Sequence, residues 1–521
     1  MFRIFRAILA TLVILLLVYP AHGKTLRLVS QYDPSTLDPH AAATVYNARF
    51  TVQVYEPLVQ RDEKFRLAPA LALSWSQPSP TIWRFSLRAG VKFHDGTPFT
   101  ADDIVFSIER IQAPTSQRKS ATAGIIAAKR IDDLTVELTT DAPNPILLNQ
   151  LPELRIMSRA WCIKNNTTRP QDYNAKEETY AVRNANGTGP YMLKSYQPDV
   201  RTVLVANPSW WGKRGNVDEA HFIVVQSSAT RLAALISGEA DIMMDPSYQD
   251  IDRMRAAPGF KILEGQSIAT FFLGMDLARD ELIDSNVKGR NPFKDVRVRK
   301  AIYHAIDIEA LKGKVLRGLA RPAGLLIGPL IEGYSAQLDQ RLAFDRTRAR
   351  QLLEEAGYPN GFEVTLDCGN NQPAEQVCQA ITAMLSQVGI LVRLNIVPIA
   401  SYFQKLSRHD TSFYYLGWTG GSVEIYQTLR DVVHTITPDG NGRGNQGRYS
   451  NAKLDVLIDR LKIETDPERR RTLVNDALTL TVDDLPVVPL FQLVSPWAMR
   501  DNVRTIYRPN NVLETRWVNI D

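Results

Sequence analysis

The sequence predicts a mixed α/β protein made of two or three domains. Stretches that alternate polar and apolar residues, typical of half-buried strands, alternate along the chain with stretches whose apolar residues recur at helical spacing. The chain has 521 residues, which is long for a single hydrophobic core. Apolar residues make up 44 % and charged residues 22 % of it, so most of the chain has the composition of a folded protein.

The first predicted elements lie in the N-terminal quarter of the chain. Residues 25–29 and 82–88 alternate polar with apolar side chains, which predicts two strands. Thr100 is followed three residues later by Asp103, the spacing of a capping box, and the apolar residues of 104–111 then recur at helical spacing. A helix is therefore expected to begin directly after Thr100.

Later elements are predicted in the same way. Apolar residues at helical spacing predict helices over 295–306, 345–357 and 375–388, and a strand follows over 390–399. Ser450 is expected to cap a further helix. The sequence shows no internal repeat and no long flexible linker, so short connections must join the domains.

The N-terminus has the parts of a secretory signal peptide. Arg3 and Arg6 precede an apolar segment, 7–18, that is too short to span a bilayer comfortably, and small residues follow it. We expect residues 1–23 to be cleaved off. Because no cysteine stands near the cleavage site, a lipid-anchored form is disfavoured and a periplasmic location is expected.

The charge balance argues against a nucleic-acid partner. The formal net charge of +5 becomes +3 when Arg3 and Arg6 leave with residues 1–23, because no acidic residue leaves with them. The basic cluster 469–471 lies among acidic residues, as on a solvated helix face. We expect a monomer that binds no nucleic acid.

The three cysteines are Cys162, Cys368 and Cys378. An odd number in an oxidising compartment suggests one disulfide and one free thiol. Cys368 and Cys378 are closer in sequence and are the better pair, although the sequence does not fix the Cα separation that a bridge requires. The cysteines lack zinc-site spacing, and no metal or cofactor is expected.

Two short motif matches could suggest an enzyme, but each has a simpler explanation. Residues 442–447 fit the glycine pattern GxGxxG, yet turn-forming residues rather than a strand precede them, so a loop is expected. Residues 116–119 fit SxxK without its partner motifs. The sequence contains neither GxSxG nor HExxH. A secreted hydrolase is the alternative to a binding protein, and these two motif matches are its only support in the sequence.

A series of segments carries a family resemblance. The strongest, 83–103, contains Phe93-His94-Asp95-Gly96-Thr97-Pro98-Phe99, and the others are 32–40, 54–59, 69–75, 187–191, 295–301 and 353–358. In their order and spacing they resemble the bacterial extracellular solute-binding proteins of family 5, typified by the dipeptide- and oligopeptide-binding proteins. The strongest segment consists of turn, strand and cap residues, so it identifies the family and is not expected to contact ligand.

The resemblance implies a fold and a domain organisation. The family has a two-lobed α/β periplasmic binding protein fold of the large, class C type, with an extra subdomain on lobe I and the ligand cleft between the lobes. On this sequence it implies lobe I over 24–268, with an inserted subdomain at about 45–186, lobe II over 269–488, and a return to lobe I over 489–521. Ligand would drive the lobes to close.

The resemblance also suggests residues that line the cleft. In the family the segment before Leu37-Asp38-Pro39 does so, which makes Tyr32 and Asp33 candidates. A turn role for Asp33 is the alternative. A second candidate is Trp418, whose ring offers a flat apolar surface. Relatives often have acids after this tryptophan, one of which receives a peptide amino terminus. Here Glu424 is the substitute, and a solvated loop position is its alternative.

The third candidate region is 367–373. Dipeptide-binding relatives carry an Arg here that holds the ligand carboxylate, whereas this chain has Gln372-Pro373 at the matching place. The neighbouring candidates Asn370 and Asn371 can form hydrogen bonds but cannot neutralise a carboxylate. Burying a dipeptide with one unpaired charged end would be costly, so a less charged or larger ligand is expected. The alternative is that an arginine from elsewhere in the chain, such as Arg430, supplies the missing cation.

These features together predict the periplasmic substrate-binding component of an ABC importer. It would capture a peptide or peptide-like small solute and deliver it to the inner-membrane permease. A non-peptide ligand, such as a sugar, an opine-like compound, a metal complex or haem, is the alternative on the same scaffold.

Overall fold

The computed structural model describes residues 23–371, 373–419, 423–438 and 440–521, with the main chain alone at Ala400. The predicted signal peptide, 1–23, lies outside these residues except for Gly23.

The first large sheet has seven strands and collects segments from both ends of the chain. Its strand Lys24–Ser30 pairs in parallel with Val217–Val224 on one side and with Ile242–Met243 on the other. The strand order is Phe260–Leu263, Trp497–Arg500, Ile242–Met243, Lys24–Ser30, Val217–Val224, Arg201–Ala206, Tyr191–Gln197. This sheet is the framework of lobe I.

The second large sheet has six strands and is the framework of lobe II. Its strand Gln266–Met275 pairs antiparallel with both Val487–Val494 and Phe413–Trp418. The strand order is Ala320–Pro322, Val487–Val494, Gln266–Met275, Phe413–Trp418, Phe362–Gly369, Ile390–Val397.

A third, four-stranded sheet lies within the segment expected to form the subdomain of lobe I. Helix Ala101–Gln112 packs against it through Ile104 and Ile108. The strand order is Ala72–Ser79, Ile82–Leu87, Thr135–Thr140, Ile125–Asp132. Two small two-stranded sheets pair Val59–Arg61 with Leu67–Pro69, and Val503–Arg504 with Asn519–Ile520.

Helices cover the sheets, in keeping with the predicted α/β class. The α-helices are Val45–Val54, Ala101–Gln112, Leu147–Gln150, Arg159–Lys164, Tyr180–Arg183, Ser228–Ser237, Ile251–Ala256, Val296–Ala305, Ile308–Ala310, Arg346–Glu355, Ala374–Ser386, Ile399–Ser407, Ile425–Val432, Ala452–Ile463 and Pro467–Asp484. Short 3₁₀ turns span Lys119–Thr122, Leu151–Glu153, Tyr248–Asp250, Pro292–Lys294 and Thr515–Trp517, and Leu311–Val315 is a π-helical turn. None of the helices within the described residues combines the length and apolar character needed to cross a membrane.

Capping residues explain where several helices begin. The predicted capping box forms, because the Asp103 carboxylate accepts a hydrogen bond from the backbone N–H of Thr100 at 2.9 Å. The expectation that Ser450 caps a helix is wrong. Asn451 is the cap, and its side-chain oxygen accepts hydrogen bonds from the backbone N–H groups of the first helical turn. The Ser450 hydroxyl instead lies 2.9 Å from that of Thr435.

The chain passes between the two large sheets at two short crossings. It leaves lobe I after Leu263, enters lobe II at Gln266, and returns between Val494 and Trp497. Gln266 and Val494 are paired across neighbouring strands, so the crossings lie side by side. Both changes of sheet fall a few residues away from the expected boundaries at 268/269 and 488/489, and the lobe boundaries themselves stay a prediction. Two adjacent short connections suit a hinge.

A disulfide joins Cys368, near the end of strand Phe362–Gly369, to Cys378 on helix Ala374–Ser386, with 6.6 Å between the Cα atoms. Cys162 is buried and free.

Candidate functional site

A cleft of about 610 Å³ lies between the lobes. Its walls combine residues from both sides of the crossings, so its shape depends on how the lobes are placed. Lobe I contributes parts of 43–48, 61–65, 117–121, 149–153 and 509–512, and lobe II contributes parts of 267–271, 418–427, 443 and 493. A concave site of this size, lined by apolar and polar groups, suits a small ligand.

A buried ion pair stabilises the segment of lobe I that leads into the cleft wall. Arg110 donates hydrogen bonds of 2.8 and 2.6 Å to the Asp38 carboxylate, and both side chains are fully buried. His40 contacts the same guanidinium, and burial together with this charge lowers the pKa of His40 to about 3, so the imidazole is neutral. These residues of segment 32–40 therefore hold the chain that leads into helix Val45–Val54.

Helix Val45–Val54 is tied to the C-terminal segment that lines the cleft beside it. Arg49 donates hydrogen bonds to both carboxylate oxygens of Asp245, at 2.7 and 2.9 Å, and its Nε donates to the Asn511 carbonyl at 3.1 Å. Because Asn511 lies in the cleft wall, this contact couples the wall to the lobe I framework.

Trp418 is the predicted ligand-binding residue that the structure places in the cleft wall. It ends strand Phe413–Trp418 and is half-buried. Its indole Nε1–H is buried and has no hydrogen-bond partner among the described residues. Gly444 contacts the ring, and a Cβ there would lie 2.6 Å from an indole carbon. The loop expected over 442–447 thus provides a glycine that makes room for Trp418.

Glu424 is not in the cleft lining. It is 2 % exposed, forms an ion pair with Arg470, and accepts a hydrogen bond from the backbone N–H of Tyr426 at 2.7 Å. It is therefore the cap of helix Ile425–Val432. Burial raises the pKa of the Glu424 carboxyl, while Arg470 opposes that shift. Its carboxylate is engaged inside lobe II, where it is not placed to receive a ligand amine.

Asn370 and Asn371 are exposed and also lie outside the cleft lining. The Asn370 side-chain oxygen accepts a hydrogen bond from the backbone N–H of Ile399 at 3.0 Å, at the start of helix Ile399–Ser407. The Asn371 carbonyl accepts one from the N–H of Glu375 at 3.4 Å. Both residues satisfy backbone groups at helix starts.

Tyr32 and Asp33 line a separate pocket beside Tyr46. The rings of Tyr32 and Tyr46 meet edge to face, with centroids 4.7 Å apart. Asp33 is buried and accepts a hydrogen bond from the backbone N–H of Asp199 at 2.9 Å. Burial raises the pKa of Asp33 to about 6, against the effect of that hydrogen bond. Asp33 therefore stabilises the turn at Asp199, which is distant in sequence. A role for Asp33 in a turn ahead of Pro34 stays a prediction.

Three arginines that the sequence did not single out line the cleft: Arg61, Arg118 and Arg443. The segment 370–373 lacks a cation, as the sequence shows, and other elements supply cations to the cleft wall. Arg430 does not line the cleft and donates to Asp431. No sequence signal identifies these arginines, since their position depends on how distant segments pack.

Within the described parts of the chain, no group of three or more His, Cys, Asp or Glu residues is arranged to hold a metal ion.

A cleft between two lobes, bordered by two adjacent short crossings, defines a class of two-lobed proteins that bind a solute between the lobes. The model of the family described as bacterial extracellular solute-binding proteins, family 5 Middle, matches residues 66–435. The chain belongs to this family. Its members are solute-binding proteins rather than hydrolases.

Individual relatives cover nearly the whole chain. The heme-binding protein A of Haemophilus influenzae is 26 % identical over 474 residues, which covers 86 % of this chain and 83 % of the relative. The dipeptide-binding protein of Escherichia coli is 25 % identical over 512 residues, covering 92 % and 91 %. The Helicobacter pylori periplasmic binding protein DppA, solved with the peptide STSA, superposes with a TM-score of 0.78 at 23 % identity, covering 96 % and 98 %.

Proposed function

We propose that this protein is the periplasmic component of an ABC importer, which encloses a peptide or peptide-like solute between its lobes and delivers it to the inner-membrane permease. The observation that carries this proposal is the cleft between the lobes, with Trp418 in its wall. The ring of Trp418 offers the cleft a flat apolar surface that suits an apolar side chain of such a ligand.

Contacts across the cleft support closure of the lobes as the means of capture. Phe65 and Ile146 of lobe I belong to one apolar cluster with lobe II residues such as Leu325 and Ile331. A ligand that adds contacts to both walls would favour this closed arrangement over an open one. A permease could then distinguish the closed form from the open form by the relative position of the lobes.

The experiment is calorimetry on the mature protein with a panel of di- to tetrapeptides. We expect a subset to bind, and Trp418→Ala to weaken that binding by about 2 kcal/mol, because an aromatic anchor in the cleft wall is lost. Tyr32→Ala serves as the matched control, since Tyr32 is an aromatic residue outside the cleft lining and its removal should leave the affinity unchanged.

Two outcomes would count against this proposal. A protein that binds no peptide of the panel is not a peptide carrier. Equal affinities of wild type and Trp418→Ala would show that ligand does not rest on this wall of the cleft.

A further inference from the structure

The charged groups of the cleft wall are unequal in number. Among the described residues that line it, Arg61, Arg118 and Arg443 face a single carboxylate, Glu153. A wall with more guanidinium than carboxylate groups favours a ligand of opposite charge, and lobe closure would strengthen that preference by excluding water.

Two of these arginines already have acidic partners. Arg118 Nη1 donates to Glu153 at 2.8 Å, and Arg443 Nη2 donates to Asp431 at 2.8 Å. Asp431 is fully buried and also pairs with Arg430. Their charges are therefore balanced at least in part by the protein itself.

Arg61 differs from both of them. It ends strand Val59–Arg61, and its hydrogen bonds within the described residues go to neutral groups, the Asn149 side-chain oxygen at 2.7 Å and the Phe65 carbonyl at 3.5 Å. No carboxylate of these residues forms an ion pair with it. Its guanidinium also lies 5.6 Å from the centroid of the Phe65 ring, which holds it in place.

The surroundings of Arg61 leave its charge incompletely compensated. Burial lowers the pKa of Arg61 to about 10, and this effect outweighs the opposing influence of Glu153 and Glu332. Glu332 approaches from lobe II but contacts the Asn149 amide nitrogen, at 3.3 Å, rather than Arg61. Asn149 thus links Arg61 to the opposite lobe without neutralising it.

We propose that Arg61 binds an anionic group of the ligand, a carboxylate in the case of a peptide, and that the cleft therefore selects solutes with at least one negative charge. This inference rests on the proposed function, whose ligand class it makes more specific. A guanidinium can form two parallel hydrogen bonds to a carboxylate, which gives both orientation and affinity. Arg61 lies outside 370–373, the segment in which the family resemblance places such a cation.

The first test uses citrate, a tricarboxylate with no peptide feature, as a probe of the cationic wall. At constant ionic strength citrate should raise the melting temperature of the wild-type protein, and Arg61→Gln should abolish most of that shift. Arg84→Gln is the control, because Arg84 is an exposed arginine of the third sheet paired with Glu137. Arg61→Lys, which keeps the charge, should retain part of the shift and guards against misfolding of the Gln variant.

The second test compares a bound dipeptide of the panel with the same dipeptide amidated at its C-terminus. In the wild type the amide should bind roughly tenfold more weakly or worse, because a hydrogen-bonded ion pair is lost. In Arg61→Gln the two forms should bind alike. Equal citrate shifts in wild type and Arg61→Gln would overturn the assignment even if no peptide binds. Tight binding of the amide would overturn it while leaving the proposed function standing.

Discussion

At the scale of single residues, the partner of a charged side chain shows whether that side chain stabilises the fold or is available to a ligand in the cleft. Asp38 with Arg110 and Glu424 with Arg470 are buried pairs, each surrounded by protein. Breaking such a pair leaves a buried charge without a counterion, so these residues stabilise the fold rather than the ligand complex. Arg61 has no such partner among the described residues, and this difference is what assigns it to the ligand.

The buried carboxyl of Asp33 gives a pH prediction at this scale. Its pKa is raised to about 6, so between pH 4 and pH 6 the native state holds a proton that the unfolded chain releases. The free energy of unfolding therefore falls as pH rises through this window, by up to about 3 kcal/mol. Asp33→Asn removes this fall. Melting curves from pH 4 to pH 7.5 should show the variant gaining stability relative to wild type as pH rises.

The substitution of Asp33 by Asn can itself change the free energy of unfolding, but that change is the same at every pH. It therefore does not affect the comparison of the two pH profiles. Glu63→Gln, at an exposed carboxylate, controls for the change in net charge. Parallel pH profiles of Asp33→Asn and wild type would contradict the assigned role of burial at this position.

The sequence predicted Trp418 as a cleft residue because a family pattern marks its place in the chain. It did not predict the role of Glu424, since a loop acid and a helix cap have the same local signature until the helix that carries Arg470 is placed. Arg61 was missed for the same physical reason. Its position in the cleft follows from the docking of a short hairpin against a distant amide, Asn149, and no local pattern encodes that contact.

At the scale of elements, the sequence predicted those features that depend on residues close together in the chain, such as the starts of helices. Thr100 and Asp103 set the start of Ala101–Gln112 because the capping box lies within four residues. Ser450 and Asn451 are adjacent residues that can both cap a helix, and only the backbone geometry decides between them. Which strands lie side by side was not predictable in this way, because strand pairing joins segments as distant as 24–30 and 217–224.

The disulfide gives a prediction at this scale. Cys368–Cys378 ties the end of a lobe II strand to the next helix, with a sequence separation of 10. Replacing both cysteines by alanine should lower the free energy of unfolding by at least roughly 2–3 kcal/mol, because the unfolded chain regains the freedom of this loop and two buried sulfurs are lost from the lobe II core. Chemical denaturation of the double variant measures the loss. Cys162→Ala is not a neutral control, since it opens a cavity in the lobe I core, so unreduced wild type is the reference.

Thiol titration of denatured, unreduced protein provides the independent check. One reactive group, from Cys162, is expected. Three reactive groups would show that the disulfide is absent and would remove the basis of the stability prediction.

At the scale of the whole molecule, the two crossings explain how a cleft can exist and close. Residues 264–265 and 495–496 are the only stretches of the described chain that run from one large sheet to the other, and they lie side by side. Rotation about them changes the distance between Trp418 and Arg61, which belong to opposite lobes and line the same cavity. Capture and selectivity are therefore consequences of one motion.

Small-angle X-ray scattering of the mature protein, with and without a saturating peptide that calorimetry has shown to bind, tests this central claim most directly. The ligand is expected to lower the radius of gyration as the lobes close. Trp418→Ala at the same peptide concentration should show a smaller decrease, because a smaller fraction of the variant carries bound peptide. An unchanged radius of gyration with bound peptide would contradict capture by lobe closure.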